Sequence, residues 1–334
     1  MKEGDIRPQE ILDRYLELSR QDAVRCFADS KREAIQCVGC GSSIIQEQFE
    51  KQGFCYGQCQ DCRTLFQTPR PSSKSFEAFY QNSESSNYWA EVFFPAVAEA
   101  RREKIFRPRV KRLIQHCQSQ GHKVNRLIDV GAGFGIFLDE WRRADPECHL
   151  VAVEPSASLA GECRAKGFDV VESIAEQVGA EYRDFADMVV CFEVLEHTYE
   201  PLDFLNSLCR LVKPGGMVFI STLCIDGFDL QTLWDQSSQI YPPSHINFLS
   251  VRGFQNLFQR AGLVDVNIST PGKLDVDIVR NALQKNPELL KDNRFLQHVI
   301  VDENKADIFQ KFLAENQLSS HAWVSGKKSR VTFG

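Results

Sequence analysis

No run of apolar residues in this 334-residue chain approaches the length of about 20 that a membrane-crossing helix needs. The first residues, Met1-Lys2-Glu3-Gly4-Asp5, lack the apolar region of a secretory signal, so the cytosol is the expected compartment. Positive charge is in the minority, with 39 Lys and Arg against 45 Asp and Glu and a net charge of −6. Duplex nucleic acid is held by clustered basic groups, and this balance argues against a broad nucleic-acid surface. Internal repeats and low-complexity tracts are also missing, which removes solenoids and fibrous arrays. What remains is the composition of an ordinary globular protein, 43% hydrophobic and 25% charged. The length suits one large domain or two unequal ones.

Cysteine is not scarce. Twelve thiols in a chain expected in a reducing compartment point to metal ligands and buried side chains rather than disulfides. Four of them form two Cys-x-x-Cys knuckles, Cys37 with Cys40 and Cys59 with Cys62, separated by eighteen residues of hairpin character. Four thiolates converging tetrahedrally are the donor set of a structural zinc ion. Cys55 lies nearby and is a spare.

A second cluster of signals begins at residue 127. Leu127, Ile128 and Val130 suit a buried parallel strand, and Gly131, Gly133 and Gly135 suit the turn into a helix starting near Ile136. A backbone without Cβ atoms admits a ligand closely, and the helix N-terminus beyond it attracts an anion. A dinucleotide fingerprint needs Gly-x-Gly-x-x-Gly, whereas here the third glycine follows the second by two residues and position 136 is Ile. Asp129 puts a carboxylate directly before the first glycine. The next apolar run, Leu150 to Val153, ends in Glu154, an acid placed to accept two ribose hydroxyls. A further strand, from Ala186, runs into Glu193-Val-Leu-Glu196-His197. An amphipathic helix then leads through Lys213-Pro-Gly-Gly216 to a strand at 217–221.

In this order and spacing, the four motifs resemble the class I S-adenosylmethionine-dependent methyltransferases, in the ubiquinone-methyltransferase-like branch. The resemblance covers residues 121–270. It implies an α/β fold, a Rossmann-like seven-stranded sheet with helices on both faces, joined here to a small N-terminal zinc ribbon and helical additions. The segment from Cys62 to Pro71, Cys-Arg-Thr-Leu-Phe-Gln-Thr-Pro-Arg-Pro, is similar to the ribbon leader of methyltransferases from bacterial sugar and polysaccharide gene sets. Arg63 stands where that pattern has glycine, and Thr68 where it has asparagine. The expected segments are therefore an N-terminal helix (1–35), the ribbon (36–71), a helical linker or lid (72–120), the cofactor-binding core (121–270), and a helical insertion with a last strand (271–334).

The resemblance also implies site roles. The backbone of Gly131, Ala132, Gly133 and Gly135 approaches the methionine part of S-adenosylmethionine, Asp129 holds its amino group, and Glu154 binds the ribose. Ser173 and Ile174 flank adenine, and Cys191, Phe192 and Glu193 lie near the methionine moiety. Two histidines are candidate bases, because imidazole titrates near neutrality. His197 is a base or a structural cap. His245 lies in Pro243-x-His-x-x-Phe248-x-Ser250 and is a base or a histidine that fixes its loop through the backbone. Tyr88 and Trp89 are either lid aromatics or packing residues. The seven basic side chains of residues 101–112 form either a solvated helix face or an anchor for a diphosphate or acidic sugar.

The expected acceptor is a small molecule, a nucleotide-linked sugar or surface-glycan precursor. Two other classes stay in view, a zinc-ribbon RNA methyltransferase and a catalytically silent cofactor-binding protein. Against the first, no Asn/Asp-Pro-Pro-aromatic motif follows the fourth strand and no Pro-Cys dipeptide occurs.

Overall fold

The structure is a computed structural model and describes residues 1–330; the last four residues of the expected 271–334 segment lie outside the described residues. Its strands, in chain order, are β1 (Arg32–Glu33), β2 (Ile45–Lys51), β3 (Phe54–Cys59), β4 (Leu65–Gln67), β5 (Arg70–Pro71), β6 (Arg126–Val130), β7 (His149–Val153), β8 (Asp169–Val171), β9 (Ala186–Phe192), β10 (Val212–Leu223), β11 (Asn247–Phe248), β12 (Leu263–Ser269) and β13 (His321–Lys328).

The chain divides into two compact units, and neither is continuous in sequence. The first gathers Met1–Phe94, Thr222–Gln255 and Ile268–Trp323; the second gathers Pro95–Ser221, Asn256–Asn267 and, among the described residues, 324–330.

Most of a seven-stranded sheet lies in the second unit, in the order β12-β13-β10-β9-β6-β7-β8. Strands β8, β7, β6, β9 and β10 pair in parallel. Their sequences are apolar without alternation, as strands covered on both faces require, and Leu127, Ile128, Val151, Val189, Val190 and Ile220 have no exposed surface. Helices Ile136–Ala144 and Pro201–Leu211 follow β6 and β9. Pro201 opens the second of these, at a first-turn position where a missing N–H costs nothing. The seven-stranded Rossmann-like architecture implied by the motifs is present.

The first unit holds the ribbon, which is an antiparallel sheet of order β11-β4-β3-β2. Three of its strands come from residues 45–67, but β11 joins from far along the chain, Asn247 opposite Phe66 and Phe248 opposite Leu65. Residues 84–119 are helical throughout, with π-turns at Trp89–Phe93 and Arg102–Phe106. After β10 comes the short helix Phe228–Leu233. Trp234 takes a left-handed φ of 48°, and that ends the helix. The expected insertion consists of helices Asp275–Lys285, Arg294–Val301 and Glu303–Glu315 with a 3-10 turn at Pro287–Leu290, and it shares a small core with helix Phe228–Leu233 around Leu233, Val276, Val279, Leu290, Ile300 and Leu313.

Candidate active site

In the second unit, β6 ends at Val130 and the chain turns through Gly131 (φ 75°) and Gly133 (φ 54°), backbone that only glycine adopts without strain. A Cβ on Gly131 would come within 2.7 Å of Val194 Cγ2, so the segment after β9 seats directly against this turn. A Cβ on Gly133 would meet nothing within 4 Å; the peptide there faces open space. The turn is tied to the end of β7 by the Gly131 N–H, which donates to the Val153 carbonyl at 2.8 Å.

Glu154 sits at the tip of β7, 5% exposed. Its carboxylate accepts from the Gly133 N–H at 2.8 Å and from the Ser156 N–H at 2.9 Å. Burial raises its pKa, and those two donors oppose the rise. Asp129 is 2% exposed, and its Oδ1 is buried with no hydrogen-bond partner among the described residues. Burial, reinforced by the charge of Glu154, pushes its pKa up to about 8, while Arg109 acts in the opposite direction. An acid held in this way is an incomplete pair that suits a cationic ligand group.

Arg109 carries a role the sequence reading did not separate from its basic neighbours. It is 3% exposed, with its guanidinium carbon 4.5 Å from the centre of the Phe192 ring and Nη2 3.4 Å from Glu193 Oε1. The Phe192 ring also packs on Phe137, at 4.5 Å between centroids. Glu193 has a left-handed φ of 54° and is held from β10 by Ser221. Its neighbour Cys191 is fully buried, and desolvation pushes the thiol well above its ordinary range.

Arg102 and Arg107, together with Arg143, converge on the buried Glu140 carboxylate, with the Arg107 and Arg143 side chains still exposed to solvent. Beyond β8, the Ser173 Oγ donates to the Ile174 carbonyl at 3.1 Å, and Ile174 presents an apolar side chain that is 43% exposed. His197 closes a short 3-10 turn, Leu195–His197, its N–H donating to the Val194 carbonyl at 2.9 Å.

The first unit contains His245 and the four paired cysteines. His245 is 6% exposed, and its Nδ1 lies 2.6 Å from the Gln239 carbonyl oxygen. A carbonyl can only accept, so Nδ1 carries a proton. The Tyr56 hydroxyl donates to the His245 carbonyl at 2.8 Å, and the Tyr241 ring lies 4.0 Å from the imidazole. Trp89 stacks on Phe93 at 4.3 Å and packs on Tyr15 at 5.2 Å.

The sulfurs of Cys37, Cys40, Cys59 and Cys62 all lie within 4.8 Å of one another. The two knuckles repeat one geometry. Gly41 N–H donates to the Cys37 carbonyl and Arg63 N–H to the Cys59 carbonyl, and both donors have a left-handed φ, 80° and 67°. Arg63 therefore adopts the conformation that glycine adopts in the first knuckle. The Cys62 N–H points at the Cys59 sulfur, as donors around thiolates do, and the Cys62 thiol donates to Thr64 Oγ1 at 3.3 Å. A hydrogen bond from Cys37 pulls the Cys62 pKa down to about 5. The donor set fits a tetrahedral soft-metal site, and Cys55 is outside it.

Comparison with known proteins bears on this geometry. Residues 97–268 match the sequence profile of a family described as a methyltransferase domain. A ubiquinone biosynthesis O-methyltransferase from Shewanella sp. (strain ANA-3) is 33% identical over 102 residues, which cover 29% of this chain and 43% of the relative. The corresponding protein of Aliivibrio fischeri (strain MJ11) is 36% identical over 102 residues, 29% of this chain and 44% of its own length. The chain thus spans less than half the length of these curated relatives. Among solved structures, the plantazolicin methyltransferase BamL, in complex with triazolic desmethylPZN analog and SAH, superposes with a TM-score of 0.50 at 14% identity. That match covers 76% of this chain and 94% of BamL, and it establishes a shared fold.

Proposed function

The chain belongs to the methyltransferase-domain family, with the class I S-adenosylmethionine-dependent architecture, and from that premise we propose that it methylates a small-molecule acceptor, a nucleotide-linked sugar or surface-glycan precursor. The observation that carries the donor half is the buried, unpartnered Oδ1 of Asp129 at the strand end that opens into the glycine turn. The acceptor half rests on the resemblance of residues 62–71 to ribbon leaders of sugar-modifying enzymes.

In this reading, Asp129 accepts the ammonium of S-adenosylmethionine and the backbone at Gly131–Gly135 lies along its methionine part. Glu154 spends two acceptor positions on backbone N–H groups and has others for the ribose hydroxyls. Ile174 offers an apolar face to adenine, with Ser173 beside it. Phe192 and Arg109 form a wall that excludes water, with Cys191 buried behind it and Glu193 at its end. Bound there, the cofactor supplies a methyl group already made electrophilic by the sulfonium. The protein's part is alignment, worth on the order of 7–11 kcal/mol when reacting atoms are held in place. His245 takes the acceptor proton at Nε2, the nitrogen left basic by the Nδ1 bond to Gln239. His197 is the alternative base. The four thiols of Cys37, Cys40, Cys59 and Cys62 hold a structural zinc ion.

The names of the relatives favour an oxygen acceptor, for which a base is useful. The deciding experiment incubates the protein with methyl-labelled S-adenosylmethionine and a deproteinised, nuclease-treated extract of its source cells. Label in an anionic small-molecule fraction supports the glycan-precursor reading. Label in the organic-soluble fraction replaces it with a lipid-quinone type of acceptor. Label that appears only with intact RNA, or donor binding with no label anywhere, overturns the reading.

A further inference from the structure

The N-terminal 27 residues lie outside every motif named above and outside the matched family segment, 97–268. They nevertheless reach the His245 loop at two separate points. Arg7 Nη1 donates to the side-chain Oε1 of Gln239 at 3.0 Å, and Gln239 is the residue whose backbone carbonyl accepts from His245 Nδ1. Gln239 is 5% exposed, and its own N–H is occupied by the Ser237 hydroxyl. Eight residues further on, Tyr15 faces the other side of the loop from helix Gln9–Phe27. Its buried hydroxyl hydrogen-bonds with the side chains of Ser244 and Tyr241, and its ring meets Tyr241 edge-on at 5.9 Å. Tyr241 in turn covers the imidazole at 4.0 Å.

The segment carrying these two residues is anchored in its own right. The Glu3 N–H donates to Asp277 Oδ2 at 2.7 Å, and the Asn281 amide donates to Glu3 Oε2 at 2.9 Å. Arg7 and Tyr15 are thus presented from a fixed support and not from a loose end.

We propose that Arg7 and Tyr15 are positioning residues for His245, holding the Gln239 carbonyl and the Tyr241–Ser244 turn so that the imidazole is locked with its proton on Nδ1. A neutral histidine in water prefers its proton on Nε2, the wrong nitrogen for a base that must accept there. The lock therefore works against an intrinsic preference, and the carbonyl that enforces it must not move. Arg7 fixes that residue by its side chain. Tyr15 fixes the ring's lateral support. The inference rests on the reading of His245 as the base, yet it concerns the state of the ring in the resting protein and can be read without any acceptor.

The test is a long-range proton–nitrogen spectrum of full-length protein carrying nitrogen-15 histidine, with the His245 signals assigned by their loss in His245→Gln. Wild type should show His245 as the Nδ1–H form. Arg7→Met and Tyr15→Phe should each raise the Nε2–H share relative to Nδ1–H by about fivefold, the scale of one hydrogen bond, and Arg7→Lys should restore it. Thermal melts identify any variant that has lost its fold, and Tyr15→Phe keeps the buried ring. Unchanged tautomers in both folded variants, or an Nε2–H form in wild type, would overturn the proposal. Methyl transfer by His245→Gln, assayed with labelled donor and the cell extract, tests the base reading separately. Full activity there removes His245 as base and leaves the tautomer result standing on its own.

Discussion

Ser221 and Glu193 exchange two hydrogen bonds across neighbouring strands. The Ser221 hydroxyl donates to Glu193 Oε1 at 2.6 Å, and the Glu193 N–H donates to the Ser221 carbonyl at 2.8 Å. The pair holds a residue whose φ of 54° is unfavourable for any side chain but glycine, and Arg109 Nη2 lies 3.4 Å from the same oxygen. Ser221→Ala should cost about 1.5 kcal/mol in urea unfolding, the low end for a bond to a charged group because the Glu193 side chain keeps some exposure. Combined with Arg109→Met in a double-mutant cycle, the two changes should couple by about 0.5–3 kcal/mol. Strict additivity would show that Glu193 is positioned by its backbone alone.

Asp129 predicts opposite pH dependences for stability and for ligand binding. Its folded pKa of about 8 lies above the unfolded value, so it contributes stability that is full below the ordinary carboxylate range and is lost as pH rises through about 8. Asp129→Asn should abolish that decline in thermal midpoint for the unliganded protein. Binding of S-adenosylmethionine requires the ionised carboxylate, so wild-type affinity should strengthen from about pH 6 to about pH 8 with release of a proton. Calorimetry in two buffers of different ionisation enthalpy reads the proton directly. The asparagine variant should bind more weakly, with no proton release.

Elemental analysis of protein purified without chelator should find about one zinc per chain, and Cys59→Ser should remove most of it. Loss of metal should open residues 45–67 to protease before the rest of the chain. A full complement of zinc in the serine variant would place the ion elsewhere.

Arg63→Gly should stabilise the protein by roughly 0.5–1 kcal/mol. A left-handed residue with a Cβ is strained by about 1–2 kcal/mol, and the added freedom of an unfolded glycine returns part of the gain. Chemical denaturation of the zinc-loaded protein measures it, and a loss of stability would mean that the Arg63 side chain contributes more than its backbone costs.

The sheet was legible in the sequence because its strands are short apolar runs ending in residues that have chemistry, Asp129 and Glu154, and because glycines occupy the turns. The knuckles were legible from spacing alone. Arg109 was not, since it sits in a run of basic side chains that reads as a polar surface. The signal that marks it is periodicity. Residues 109, 113 and 117 recur four apart, and Leu113 and Cys117 are buried with it. The contacts of Arg7 and Tyr15 with residues 239–244 could not be read either, because no local pattern reports a partner more than two hundred residues away.

The late arrival of β11 at the ribbon sheet bears on how the chain must be synthesised. Strand β4 is complete by residue 67, but its partner is not made until residues 247–248, and until then the outer edge of β4 has nothing to pair with. A nascent chain, or a fragment ending at residue 94, carries that raw backbone edge into solution, the kind of surface that recruits foreign strands. The ribbon is thus no portable module to be cut out at residue 71: its finishing piece follows most of the methyltransferase domain in this chain.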